Sequence, residues 1–265
     1  MRIVFLGAST LGYKCCQSLI EAGCHIVGIL TLGNEFLIKY KEENSKIKVK
    51  NYLYHDFTEF EKNYDIPVIS VGNEIAESYN AIMEWQPDLI IVVGWYFMIP
   101  EKIMKLPLKG VIGIHGSLLP KYRGNAPFVW AMINGEQETG VSLFYIEKGV
   151  DEGDIIAQKS FPINKEDYIS DVLKKAEECS IDLLTENIPK IDSGNAPRIT
   201  QDHSLATYFP KRTPGDGVID WNQDAESIIN FIKAQSKPYS GAYTVINGKK
   251  VILWRADINA ITKEE

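Results

Sequence analysis

Cysteine is scarce in this chain, and the little there is falls into no chemical pattern. Cys15, Cys16, Cys24 and Cys179 are the only four among 265 residues. No C-x-x-C occurs, and no histidine stands at zinc-ligand spacing from any of them, which argues against a metal or redox centre. Adjacent Cys15 and Cys16 read as reduced thiols of a helix. Long apolar runs are missing too: none reaches the ~18 residues a membrane span requires. Met1-Arg2-Ile3-Val4 opens directly as a strand, without the pattern of a signal peptide, and predicts a cytoplasmic protein. Positive charge is in deficit, with 28 Lys and Arg against 35 Asp and Glu and a formal net charge of −7. That balance argues against an extended nucleic-acid footprint, but a few local bases suffice for one small anion. Repeats and low-complexity tracts are absent.

What is present is ordinary globular material, 45% hydrophobic and 24% charged, enough for one large domain and a small one. Arg2 to Leu6 predicts a short apolar strand, Gly7 to Gly12 a turn, and the residues to about Ala22 a helix. His25 to Leu30 is a second strand, completing a βαβ opening. The turn would present backbone N–H groups at a helix N-terminus. Its spacing is not G-x-G-x-x-G, and no acidic residue is placed for a ribose, so a dinucleotide site is not expected. Gly33 to Asn63 reads as a long polar, irregular loop, of a kind that is usually functional or mobile in a compact domain. A strand over Ile66–Ser70 and a helix over Glu74–Trp85 lead to Leu89–Val93, the most apolar strand in the chain and a central one. Further strands are expected at Val111–His115, Gly140–Ile146 and Asp154–Phe161, with helices at Pro127–Ile133 and Tyr168–Ile191. The fold class is therefore α/β: a Rossmann-like, mostly parallel sheet with flanking helices, over residues 1–191. A Gly-, Pro-, Ser- and Thr-rich linker over 192–216 precedes a small C-terminal α+β domain over 217–265, with a hairpin through Asn247-Gly248.

The chemistry concentrates between Gly110 and Gln158. A β-branched run ends in His115, followed at once by Gly116-Ser117 and a Pro-containing loop. That places the imidazole at the C-terminal end of a buried strand, the edge where open parallel sheets hold ligands. Asp151 lies in a tight turn between two apolar runs, Val150-Asp151-Glu152-Gly153-Asp154. A His and an Asp at neighbouring strand ends are the material of a general-base pair. His25, His55 and His203 have no motif around them. On the residues alone, Ser117 caps its loop, Asp154 is a turn-capping carboxylate, and Arg123 is open between a structural bond and a substrate phosphate. The aromatic loop Gly94-Trp95-Tyr96-Phe97-Met98-Ile99-Pro100 is equally open between core packing and a ligand wall.

These residues resemble the folate-dependent formyltransferases, a superfamily spanning methionyl-tRNA, glycinamide ribonucleotide and sugar-nucleotide enzymes. The signature is His115-x-Ser117-Leu118-Leu119-Pro120-x-Tyr122-Arg123-Gly124, then Pro127 and Trp130, Asn134-Gly135-Glu136, Thr139-Gly140-Val141 and Asp151-x-Gly153-Asp154. It covers about a fifth of the chain. Lys211-Arg212-Thr213-Pro214, Ile219-Asp220-Trp221 and Lys237-Pro238-Tyr239 resemble the start of the superfamily's C-terminal domain. The resemblance implies an amine attacking the formyl carbon of 10-formyltetrahydrofolate, with no metal. His115 would act as base or oxyanion stabiliser, supported by Asp151. It places Trp95, Tyr96, Phe97, Ile99, Val150 and Asp154 on the folate side, and Ser9, Thr10, Ser117, Lys121, Tyr122 and Arg123 on the acceptor side. The family normally carries Asn two residues before the His; here Gly113 stands there. Either the oxyanion site is rearranged, or the chain is an impaired folate-binding relative. Retention of His115 and Asp151 favours an enzyme. The acidic balance and short C-terminal module favour a nucleotide-linked amino deoxysugar as acceptor over methionyl-tRNA, so neither nucleic acid nor membrane is an expected partner. A homodimer stands among the expected assemblies.

Overall fold

The computed structural model describes residues 1–39, 46–72 and 75–258. In chain order the elements are β1 (Arg2–Gly7), α1 (Thr10–Glu21), β2 (His25–Leu32), β3 (Glu35–Lys39), β4 (Lys46–Lys50), α2 (Thr58–Tyr64) and β5 (Val68–Val71). There follow α3 (Tyr79–Glu84), β6 (Leu89–Val93), α4 (Glu101–Met104), β7 (Val111–His115), β8 (Arg123–Gly124), α5 (Pro127–Ile133), β9 (Glu138–Tyr145) and β10 (Ile155–Pro162). The chain closes with α6 (Ile169–Asp192), β11 (Tyr208–Phe209), α7 (Ala225–Ala234), β12 (Ala242–Ile246) and β13 (Lys249–Leu253).

Alternation along the strands builds the core. Ile3 and Phe5 of β1, with Leu89, Ile91 and Val93 of β6, enter one apolar layer beneath α1, α5 and α6. Val4 and Leu6, with Ile90 and Val92, enter the opposite layer beside α3 and α4. Successive side chains of a strand point to opposite faces, so a sheet covered on both sides must be apolar at every position. Leu89–Val93 accordingly has no exposed residue. The sheet has seven strands in the order β10-β9-β7-β6-β1-β2-β5. β7, β6, β1, β2 and β5 run parallel, while β9 runs antiparallel to both β7 and β10. Strand order reverses direction at β1, between β6 and β2, and a ligand crevice is expected outside the strand ends there. No helix among the described residues is long and apolar enough to cross a membrane.

Three expectations need amending. The irregular loop expected over 33–63 contains an antiparallel hairpin, β3–β4, in which Phe36 pairs with Val49 and Leu37 with Lys48. The interspersed lysines conceal the alternation in the sequence. Glu74, where a helix was expected to start, lies outside the described residues; the segment begins as a 3-10 turn at Ile75 and becomes helical at Tyr79. The linker composition over 192–216 also conceals order. β11 pairs with β8, Ile199 bridges Ile155, and Gln201 is buried. α7 packs on α5, and Lys233 donates to the carbonyl of Lys165 at 2.7 Å, so the C-terminal module rests on the larger domain.

Candidate active site

Three strand ends meet at the reversal. After β1, Ser9 caps α1 by accepting the Gly12 N–H at 3.2 Å, which draws the 8–9 turn tight against the loop after β6. Gly94 adopts φ +63°, and a Cβ there would fall 1.9 Å from Ser9 Oγ, so only glycine permits the contact. The third end is that of β7. Val111, Gly113 and His115 share one face of the strand, and the imidazole is 8% exposed.

The Tyr122 carbonyl lies 2.7 Å from His115 Nε2. A carbonyl only accepts, so Nε2 carries hydrogen and the ring is fixed by that bond. Nδ1 faces Asp151 Oδ2 at 3.6 Å, beyond hydrogen-bonding distance. The same oxygen accepts the Gly124 N–H at 2.8 Å. Asp151 was expected to support His115; in the structure the Tyr122 carbonyl fixes the ring, and Asp151 stands off the nitrogen that is left. That nitrogen is the one able to take up a proton. The pair can therefore pass a proton at Nδ1, with a carboxylate beside it to oppose the charge the ring acquires.

The loop from Ser117 to Gly124 is pinned by groups that the sequence did not single out. Ser142, opposite His115 in the sheet, donates to the Ser117 carbonyl at 2.6 Å and accepts the Leu119 N–H at 3.0 Å. Gln158 reaches Ser142 Oγ and the Leu119 carbonyl. Ser142 is a polar residue at an inward strand position, which was the available signal. Ser142→Ala would leave a buried carbonyl and N–H without partners, and is expected to lower stability by about 1–2 kcal/mol. At about 2–4 °C per kcal/mol for a chain of this size, thermal unfolding checks it; an unchanged midpoint would show that the loop is held otherwise. Asn51 is a third such group. Its amide donates to the Ala8 carbonyl at 2.6 Å, and its oxygen accepts the Tyr96 hydroxyl at 3.0 Å, tying the base of the β3–β4 hairpin to both crevice loops. Burial pushes the Tyr96 phenol up to about 12, so it remains a donor.

Several residues expected to meet ligands have their side chains engaged within the protein. Ser9 is the helix cap, and Thr10 Oγ1 donates to Leu53 O at 3.2 Å. Ser117 Oγ donates to Lys121 O at 2.6 Å, the loop-capping role. Tyr122 stacks on Phe209 at 4.7 Å and donates its hydroxyl to Glu136 at 2.6 Å. Burial and that glutamate push its phenol up to about 12. Asp154 accepts from Arg198 and Thr200, both at 3.1 Å. Arg123, open in the sequence between a structural bond and a substrate phosphate and placed on the acceptor side by the resemblance, makes structural bonds here. It is 0% exposed, and its guanidinium is bonded to Gln201 and Tyr208. Lys121 and Val150 remain exposed, as does Met98.

A flat heterocycle needs apolar faces and a few edge donors. The loop after β6 offers both. Phe36 lies against Tyr96 and Phe97, with ring centroids 4.7 and 5.6 Å away, and Ile99 is buried. The indole N–H of Trp95 is buried without a hydrogen-bond partner, a condition that a bound group would relieve. Among the described residues no cluster of His, Cys, Asp or Glu is placed to hold a metal ion.

Comparison with known proteins accords with this geometry. Residues 1–188 match the Formyl transferase family model, and residues 211–265 match that of the Formyl transferase C-terminal domain. The methionyl-tRNA formyltransferase of Desulforamulus reducens is 34% identical over 261 residues, covering 98% of this chain and 79% of that protein. Among solved structures, the N-formyltransferase from Helicobacter canadensis in complex with folinic acid and dTDP-3-aminofucose superposes with a TM-score of 0.68 at 20% identity, covering 94% of this chain and 86% of that one. HypX from Aquifex aeolicus in complex with tetrahydrofolic acid gives a TM-score of 0.71 at 20% identity. There the match spans 96% of this chain but only 37% of that one. With residues 1–188 and 211–265 both matched, the chain belongs to the formyl transferase family.

Proposed function

We propose that this protein moves a formyl group from 10-formyltetrahydrofolate to the amine of a nucleotide-linked amino deoxysugar. The observation that carries the reaction class is the pairing of His115 Nδ1 with Asp151 at 3.6 Å, at the strand edge where a ligand is expected. The folate supplies the formyl carbon. The aromatic loop, with the unpartnered Trp95 N–H, is the wall that suits its flat ring. His115 takes the proton that the attacking amine must lose and returns it to the folate nitrogen as the bond from the formyl carbon to that nitrogen breaks, while Tyr122 keeps the ring in place and Asp151 opposes its charge.

Two observations support the sugar acceptor. The net charge is −7, and the fold follows a relative whose complex contains a dTDP-linked amino sugar over most of both chains. The 34% identity to a methionyl-tRNA enzyme favours the second reading, formylation of charged initiator tRNA. Incubation with 10-formyltetrahydrofolate and either a panel of nucleotide amino sugars or methionyl-tRNA separates them. Turnover of a sugar is expected, tRNA should be a poor substrate, and acceptor binding should lack the steep salt slope of a multi-phosphate contact. Efficient formylation of the tRNA would overturn the sugar assignment while leaving the reaction class intact.

A further inference from the structure

We infer that Gln201, together with the buried guanidinium of Arg123, is the positioning residue that sets Asp151 against His115; this rests on the catalytic reading of that pair given above. Asp151 has φ +53°, a left-handed conformation that is strained for a residue with a side chain. It sits in a turn outside both flanking strands, since β9 ends at Tyr145 and β10 starts at Ile155. Local pairing therefore does not fix it.

One amide fixes it from a distance. Gln201 Nε2 donates to the carbonyls of Asp151 at 2.9 Å and Gly153 at 2.7 Å, spanning the turn. Its direction is set from the other side, where Gln201 Oε1 accepts from Arg123 Nη2 at 2.6 Å and Nε at 3.2 Å. A guanidinium has donors only, so the amide oxygen must face it and the NH2 must face the turn. Gln201 is 4% exposed and Arg123 0%. The remaining guanidinium nitrogen donates to the Tyr208 hydroxyl at 2.7 Å and meets His203 Nδ1 at 3.3 Å, with Glu152 3.7 Å away. Tyr208 in turn donates to Glu152 at 2.8 Å.

Three consecutive residues thereby fix both reactive groups. The Tyr122 carbonyl holds the imidazole, Arg123 orients the amide that holds the turn, and the Gly124 N–H holds the carboxylate itself. Hydrogen-bonding partners behind a reactive side chain commonly set its rate contribution, and a displacement of about 1 Å can cost up to about a hundredfold.

Gln201→Glu tests this directly. As a carboxylate, residue 201 still accepts from Arg123 but has no donor for the two turn carbonyls. The expected result is a fall in kcat of about tenfold or more, with KM for 10-formyltetrahydrofolate within about twofold of wild type. In ligand-free protein followed by NMR, the His115 ring resonances should move towards their positions in Asp151→Asn. A purely structural role would lower the unfolding midpoint and leave both readouts alone. Arg123→Lys, which keeps Gln201 but releases its orientation, should move both in the same direction by less. Wild-type kcat and wild-type His115 resonances in a folded Gln201→Glu protein would overturn the inference. So would failure of both variants to fold, which would make the network an element of folding. Should the wild-type protein transfer no formyl group, the proposed function falls, and the resonances alone then decide whether Gln201 places Asp151.

Discussion

His115→Ala is expected to slow formyl transfer by about a hundredfold or more in a single turnover, with folate affinity little changed. The basis is that Nε2 is committed to the Tyr122 carbonyl at 2.7 Å, which leaves Nδ1 as the one nitrogen able to take up a proton. Asp151→Asn should have an effect of similar size for a different reason. Its oxygen can still accept the Gly124 N–H, so the turn keeps its shape, but the negative charge 3.6 Å from Nδ1 is gone. The two losses should fall well short of adding in the double variant, because both act on one proton transfer. Single-turnover rates within a few-fold of wild type in either variant would remove the pair from the mechanism.

Gly113→Asn, which restores the residue expected from the family resemblance, should be harmful here. A Cβ at Gly113 would lie 2.9 Å from Ile146 Cδ1 and 3.3 Å from both Ile146 Cγ1 and the Val92 carbonyl. The isoleucine can yield, being the far end of a flexible side chain, but the Val92 backbone cannot. The amide beyond Cβ would also enter an apolar neighbourhood in which Ile146 packs against both Val92's layer and the Leu119–Phe144 cluster. Overpacking costs about 1–3 kcal/mol and an unpartnered polar group a similar amount. Together these predict a loss of about 3 kcal/mol or more, with kcat reduced alongside because His115 is two residues away on the same strand face. Ile146→Ala in the same chain should recover only part of the stability, because the Val92 contact and the unpartnered amide remain. Thermal unfolding with single-turnover kinetics checks this. If Gly113→Asn alone were fully stable and markedly faster than wild type, the space beside Gly113 would have to be read as a lost oxyanion donor, and the protein as an impaired relative.

The sheet could be read almost whole from residues, because its signal is local. Leu89–Val93 is apolar at every position and lies at the centre; Gly140–Ile146 alternates and is found at β9. The meeting of His115 and Asp151 was equally legible, since His115 ends an apolar run and Asp151 lies in a turn between two of them. What the sequence concealed is how the pair is held. Gln201 lies fifty residues beyond Asp151 in a stretch whose composition reads as a tether, and Ser142 and Asn51 reach across the fold to backbone groups. A side chain whose partners are distant carbonyls leaves no periodicity or motif behind it. The same blindness left Arg123 open between a structural bond and a substrate phosphate; only the fold shows four protein side chains around it.

The segment from Ile199 to Phe209 has a consequence for how the molecule comes into being. It contributes β11 alongside β8, the Thr207 carbonyl and hydroxyl that receive the N–H groups of Arg123 and Tyr122, and the ring stacked on Tyr122. A nascent chain that has emerged only as far as residue 188 already has every strand of the sheet, along with His115 and Asp151. It has none of these contacts. During synthesis the sheet and these two side chains therefore exist before the Ile199–Phe209 segment steadies the loop and turn that carry them, which arrives some twenty residues later. A chain cut short between α6 and Gln201 would keep every strand of the sheet and lose each of these contacts.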